Sequence, residues 1–343
     1  MLTSPPIFVI GAPRSGTTLV QSLLAAHPQL TSVPETSFFS RFISQCDPAL
    51  SDPLHVVTRD HVAWLANDVE EMVGVRPALD SEWRATLTAR DLFIALTLAL
   101  GADPAARLVE KTTMHACFVP VILRYFPDAR FVHVVRDPVA VVHSMSRIRP
   151  TAPSDTRVSY VPDVFAACDQ WTATVSAAFE TMPPEQGTTV YYESLVQHPD
   201  AVWAELTDSL GLTPYPPAVD EQHLAAQTLL RESHTPWQAR NVQPSVDASR
   251  AWSVDTERSA TFRSVVLKRT RPWSTRLGYD RPGTSGPSYQ RATSTLMYQA
   301  IHSLSLPFRE MALRGRVLRG RRRTPESSAK RATNKEPSGG ESA

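Results

Sequence analysis

Ile7, Phe8, Val9 and Ile10 form an unbroken apolar run that stops at Gly11, and Leu19, Val20, Leu23 and Leu24 then recur at helical spacing. The run predicts a buried strand, and the spacing after it predicts a helix. The two patterns alternate along the chain. Further strands are predicted at Arg107–Thr112, Ala129–Val135 and Thr188–Tyr192. Helices are predicted at Glu35–Ile43, Asp60–Val73, Thr88–Leu100, Phe118–Tyr125, Val139–Arg147, Asp163–Phe179 and Ala201–Leu210, the last closed by Gly211. Strands alternating with helices imply an α/β fold, a parallel sheet flanked by helices on both faces. Residues 36–105 read as a helical insertion after the first βα unit, an excursion of the kind that covers a ligand crevice.

The turn after the first strand carries the first chemistry. Gly11-Ala12-Pro13-Arg14-Ser15-Gly16-Thr17-Thr18 joins strand to helix with two glycines, an arginine and three hydroxyls. Glycine lets the backbone turn sharply and approach an anion, and the first N–H groups of a helix point at it. The spacing of Gly11 and Gly16 is that of a P-loop, so the sheet is expected to be of the P-loop type. Thr17, however, stands where a nucleotide hydrolase has its lysine, and the basic group comes earlier, at Arg14. The plainer reading is an ordinary βα turn.

Composition adds little to the fold and something to the setting. A chain of 343 residues, 42% hydrophobic and 20% charged, suits a soluble globular protein with a sizeable core. Cys46, Cys117 and Cys168 are scattered and odd in number, which fits a reducing compartment better than a disulfide framework. The first strand begins close to Met1, with no basic and apolar leader and no run of membrane-spanning length, so a cytoplasmic location is expected. The net charge of +1 conceals a split: from Arg281 onward twelve Lys/Arg face four Glu, a net of +8, which leaves −7 for the rest.

Two more places offer anion binders. Arg136 follows the strand ending at Val135, with Ser144 eight positions on, and an irregular stretch around Ser233–Asn241 contains Arg240. An arginine fork with a hydroxyl donor suits a terminal phosphate. Two anion sites on one sheet suggest a ligand with two phosphate-like groups.

At these positions the sequence resembles the sulfotransferases that use 3′-phosphoadenosine-5′-phosphosulfate (PAPS), in particular the tyrosylprotein branch and its bacterial relatives. The matching pieces are Pro13-Arg14-Ser15-Gly16-Thr17-Thr18-Leu19, Ala26-His27-Pro28, Glu35-Thr36, Arg136-Asp137 with Val142-His143-Ser144-Met145, Val190-Tyr191-Tyr192-Glu193-Ser194-Leu195 with His198-Pro199, and Leu277-Gly278-Tyr279-Asp280. The resemblance implies that Arg14, Ser15, Gly16, Thr17 and Thr18 hold the 5′-phosphosulfate and that Arg136 and Ser144 hold the 3′-phosphate. It implies that Tyr192 lines the nucleotide site, that the stretch containing Arg240 closes over it, that Glu35 is the catalytic base, and that Lys111 assists the leaving group. Arg14 would lie nearest the transferred group. Each residue also has a plainer reading: Glu35 as a first-turn helix carboxylate, Lys111 as a strand-end residue, Tyr192 and Glu193 as packing and a cap. His115 is a second candidate base.

The chemistry calls for a base to take a hydroxyl proton and for cations at the leaving phosphate; no metal is expected. The resemblance covers about residues 5–282, so a sulfotransferase domain is expected at 1–282. A linker and C-terminal helix follow at 283–318, and a basic, disordered tail at 319–343. The acceptor is expected to be a small-molecule or peptide hydroxyl: Ser37 and Gln243 depart from the tyrosylprotein pattern, though Arg41 remains near. The tail is suited to an acidic partner or a membrane surface, and nucleic acid is disfavoured. An ATP-dependent P-loop kinase and a nucleotide-binding protein without turnover are the alternatives.

Overall fold

A computed structural model describes residues 2, 4–79, 84–146, 163–215 and 259–280, all within one compact unit, Met1–Ile301. Its centre is a five-stranded, wholly parallel sheet in the order β2-β3-β1-β4-β5. The strands are β1 (Ile7–Gly11), β2 (Leu30–Ser32), β3 (Arg107–Lys111), β4 (Arg130–Val135) and β5 (Gly187–Tyr191). All four expected strands are present. The short edge strand β2 is additional: three residues, two of them polar, carry no periodicity for a sequence pattern to catch.

Alternation along β1 sends Phe8 and Ile10 to one face and Ile7 and Val9 to the other, and all four are fully buried. Each face therefore has its own core. Ile7, Val9, Val132 and Val134 pack with Leu23 and Leu24 of α1 (Thr17–Ala25) and with Trp203 and Leu206 of the helix Pro199–Ser209. Phe8, Ile10 and Phe131 pack with Phe38, Phe39, Phe93, Tyr125 and Trp171 on the opposite face. Phe8 touches Phe39, Phe93, Phe126 and Phe131 at ring separations of 6.0 to 6.2 Å. Burying each such ring contributes about 2–3 kcal/mol. Both faces are thus covered by helices, as a parallel sheet requires.

The insertion supplies much of the second core. Its helices α2 (Arg59–Val73) and α3 (Ala89–Ala99) open on Thr58 and Thr88, each a reciprocal capping box, and α2 closes on Gly74 at φ 83°. One expected boundary is corrected. The helix predicted at Glu35–Ile43 begins at Phe38 and runs to Cys46 with the wide turns of a π-helix, after Ser37 at φ 49°. Glu35 and Thr36 are held outside it by bonds to β3.

Beyond β3 come α4 (Val119–Tyr125), α5 (Pro138–Ser146), α6 (Val164–Thr181), α7 (Tyr192–Gln197), α8 (Pro199–Ser209), α9 (Ser259–Arg269) and α10 (Trp273–Arg276). Asp163 caps α6 by accepting from the Ala166 N–H at 2.8 Å. α7 was not anticipated, since Tyr191-Tyr192 continues the apolar strand pattern directly into it. Arg240, the stretch 233–253, the linker, the C-terminal helix and the basic tail lie outside the described residues. Because β1 is central, with β3 and β4 on its two sides, the crevice of this sheet opens at the carboxyl end of β1.

Candidate active site

β1 ends where its neighbour leaves no room: a Cβ on Gly11 would come 2.4 Å from the Val134 carbonyl oxygen. The chain then turns, with the Ser15 N–H donating to the Ala12 carbonyl at 3.2 Å and Arg14 held at φ 72°. A left-handed backbone on a residue with a Cβ costs on the order of 1 kcal/mol and collects at functional sites. α1 starts behind Gly16, whose position as N-cap offers no side chain to its amides. Those N–H groups and the helix dipole favour a negative charge. The Ser15 Oγ is buried and has no hydrogen-bond partner among the described residues. Thr17 is buried beside it and Thr18 is half-buried.

Two guanidinium groups converge on this loop. Arg14 Nε donates to Ser144 Oγ at 3.0 Å, and Arg136 Nη1 donates to the Arg14 carbonyl at 3.3 Å. Burial, and then the charge of Arg136, lowers the Arg14 pKa from its ordinary value. Tyr192 joins them. Its ring centre lies 4.1 Å from the Arg136 guanidinium carbon, and a Cβ on Gly16 would fall 2.3 Å from its Cδ2. Arg14, Gly16, Arg136, Ser144 and Tyr192 therefore form one cluster. Ser144, expected beside Arg136 at the 3′-phosphate, is bonded to Arg14 within this cluster.

A buried polar brace holds the cluster from behind. The Asp137 N–H donates to Glu193 Oε1 at 2.9 Å, and Tyr279 Oη donates to Glu193 Oε2 at 3.0 Å. Arg263 reaches Asp137 Oδ2 at 3.7 Å and the Tyr279 carbonyl at 3.1 Å. Trp171 Nε1 donates to the Arg136 carbonyl at 3.2 Å. Burial pushes the carboxyls of Asp137 and Glu193 up and outweighs the hydrogen bonds they accept.

A second pair forms at the end of β3, where Lys111 lies opposite Val9 of β1. The Lys111 ammonium, nearly fully buried, contacts Glu35 Oε1, and the Glu35 carboxylate remains about one-third exposed. Sequence reasoning put both residues at the site, and the fold brings them together. Glu110, next to Lys111, had been passed over. It is fully buried and accepts from the Thr36 N–H at 3.3 Å, Thr36 Oγ1 at 2.8 Å, Thr112 Oγ1 at 2.7 Å and His115 Nδ1 at 2.9 Å. Burial raises its pKa, but His115 and these hydrogen bonds prevail and hold the carboxyl below the ordinary range. A signal was present: Glu110 shares a strand face with the buried Leu108. His115, considered as a second base, is fully buried, and its Nε2 accepts from the Phe39 N–H at 3.1 Å. Both its nitrogens are engaged in holding the fold.

Residues 5–217 match the family described as the sulfotransferase family, more than half of the chain. Protein-tyrosine sulfotransferase A of Caenorhabditis elegans is 25% identical over 298 residues, covering 84% of this chain and 70% of that protein. Protein-tyrosine sulfotransferase 1 of Danio rerio is 26% identical over 305 residues, covering 84% and 75%. The sulfotransferase domain of the Synechococcus PCC 7002 olefin synthase shares the fold, with a TM-score of 0.54 and 19% identity over 79% of this chain and 94% of that one. The kinase and turnover-free alternatives gain no support from these relatives. The cytoplasmic expectation is corrected: the relatives are protein-tyrosine sulfotransferases, and the match to them does not support a cytoplasmic setting. No helix among the described residues is long and apolar enough to cross a membrane, which assigns no compartment. A P-loop-type parallel sheet whose loop carries its basic group at Arg14 and a threonine at the hydrolase lysine's position, matched over residues 5–217, makes this chain a member of the sulfotransferase family.

Proposed function

We propose that the chain transfers a sulfuryl group from PAPS to an acceptor hydroxyl. The observation that carries this reading is the loop Gly11–Thr18. It has a buried Ser15 Oγ without a partner among the described residues, a helix start with no side-chain cap, and two converging guanidinium groups. Such a site is short of negative charge and fits an anion. Arg14, Ser15, Gly16, Thr17 and Thr18 would hold the phosphosulfate end. Arg136, beside Tyr192, and Ser144, bonded to Arg14, would hold the 3′-phosphate. Arg240 completes the set on the strength of the resemblance. Bound there, PAPS supplies the sulfuryl group and leaves as 3′,5′-ADP.

Glu35 is the base in this reading. Lys111 engages its Oε1, and Oε2 takes the proton of the acceptor hydroxyl. The Lys111 and Arg14 cations counter the charge that grows on the leaving phosphate. The acceptor is read as a small or peptide hydroxyl, and the relatives' names make a phenolic one the first to try. Arg41 bears on the choice, because its guanidinium forks onto Asp68, with Nε 3.1 Å from both carboxylate oxygens. Its charge is offset within the insertion, which favours a neutral acceptor over an acidic peptide. Residues 1–282 are read as the catalytic domain, 283–318 as linker and helix, and 319–343 as a basic tail for an acidic partner or an anionic membrane.

Thermal unfolding with nucleotides tests the donor. 3′,5′-ADP is expected to raise the melting temperature well beyond ADP or ATP with Mg²⁺. An equal response to all three overturns the reading.

A further inference from the structure

The candidate base stands just before a helix whose first amides are satisfied in an unusual way. A helix start leaves its first N–H groups without intrahelical partners. Here four consecutive groups are each taken by a side chain. The Thr36 N–H goes to Glu110, Ser37 N–H to Thr112 Oγ1 at 3.1 Å, Phe38 N–H to Thr36 Oγ1 at 3.3 Å, and Phe39 N–H to His115 Nε2. Three of the four acceptors come from one short stretch, Glu110 to His115, at the end of β3. The same stretch contains Lys111, the partner of Glu35. Residues 35 and 36 therefore straddle the strand end, Glu35 gripping Lys111 and Thr36 gripping Glu110. Ser37 takes the left-handed backbone, φ 49°, that this grip demands.

We infer that Glu110, Thr112 and His115 are positioning residues that set the Glu35 carboxylate for proton transfer, with His115 acting as a hydrogen-bond relay and not as a base. The inference rests on the reading of Glu35 as the base. Its proton logic is determined by the contacts. The Phe39 N–H is a donor, so His115 Nε2 must carry the lone pair. The ring proton then sits on Nδ1 and is donated to Glu110 Oε2. Glu110 must be ionised to accept from all four of its donors. Donation runs in one direction only, from backbone amide to imidazole to carboxylate. Replacing Glu110 by Gln presents an N–H₂ to Nδ1, reverses the tautomer, and sets Nε2–H against the Phe39 N–H.

The test uses the full chain with labelled PAPS as donor and p-nitrophenol and a tyrosine peptide as acceptors. Glu35→Gln provides the reference. Glu110→Gln is expected to lower kcat by roughly tenfold or more, while the donor KM and the affinity for 3′,5′-ADP stay within about twofold. If Glu110→Gln does not accumulate as folded protein, Thr112→Val takes its place. It removes the Ser37 acceptor and one of the four donors to Glu110, and is expected to show the same split at roughly three- to tenfold. ¹⁵N NMR of His115 is expected to show the Nδ1–H tautomer in the native chain and its reversal in Glu110→Gln. A silent Glu35→Gln with all variants active overturns the base assignment. An inactive Glu35→Gln beside fully active Glu110→Gln or Thr112→Val overturns the positioning role alone, as does an Nε2–H tautomer in the native chain.

Discussion

Arg14 Nε and Ser144 Oγ, 130 positions apart in the chain, are bonded at 3.0 Å, which ties the loop after β1 to the helix after β4. Arg136 closes the triangle from the other side through the Arg14 carbonyl. The two anion binders that sequence spacing separates are thus one mechanical unit. Arg14→Lys retains the charge but loses the Nε donor and the fork, and transfer is expected to fall by roughly tenfold or more. Ser144→Ala removes one hydrogen bond to a charged group and is expected to weaken 3′,5′-ADP by roughly tenfold. A transfer assay with labelled donor checks the first, and calorimetric titration with 3′,5′-ADP checks the second.

Gly16→Ala is expected to be severe for two reasons. Its φ of 93° is left-handed, and the added Cβ would meet the Tyr192 ring at 2.3 Å. The ring cannot retreat without disturbing the Arg136 guanidinium stacked on it. A loss of about 1–3 kcal/mol in stability, together with loss of nucleotide binding, is the expected result. Urea unfolding with and without 3′,5′-ADP measures both.

His133, in the middle of β4, offers a stability test away from the site. Both ring nitrogens are buried without a hydrogen-bond partner among the described residues, and burial pushes its pKa down to about 3. In the unfolded chain the ring takes a proton below about pH 6.5, while the folded chain refuses it. Stability is therefore complete above that pH and is lost as pH falls toward 3. His133→Val is expected to stabilise the protein by about 1–2 kcal/mol at neutral pH by removing an unsatisfied polar group. It should also remove about 1 kcal/mol of the decline between pH 7.5 and 5.5. Denaturant unfolding at the two pH values, native against variant, gives the difference.

Glu193 separates packing from charge. Glu193→Ala leaves the Asp137 N–H and the Tyr279 hydroxyl without their buried acceptor and is expected to cost about 2–4 kcal/mol. Glu193→Gln keeps an oxygen for Asp137 and offers an N–H to the tyrosine oxygen, so it should cost less than half as much. Melting temperatures of the two variants decide this.

The strands, the two-sided core and the anion loop were legible in the sequence because each rests on local rules: apolar runs, capping residues, glycine spacing. Glu35 and Lys111 were named from the resemblance, and the contact between them could not be read from either segment alone. Glu110 was missed as a structural acid, and Glu193 was read only as packing and a cap, because the partners that complete them, Thr36 and Tyr279, lie 74 and 86 positions away. A buried carboxylate in a strand or at a strand end announces that a partner exists without saying where. The late start of the helix after Glu35 was missed for the same reason, since three of the four acceptors at that start, Glu110, Thr112 and His115, come from the stretch at the end of β3.

Tyr279 gives the brace behind the loop a place in time. The family match ends at residue 217, yet the hydroxyl that completes Glu193 comes well after it. A chain emerging from the ribosome can pair all five strands once residue 191 has appeared. The Glu193 carboxylate must wait in a closing core until the segment Arg263–Tyr279 is synthesised and docks. Until then Glu193 lacks the Tyr279 hydroxyl that satisfies it in the buried brace, so a segment from late in the chain acts as the latch on the first loop.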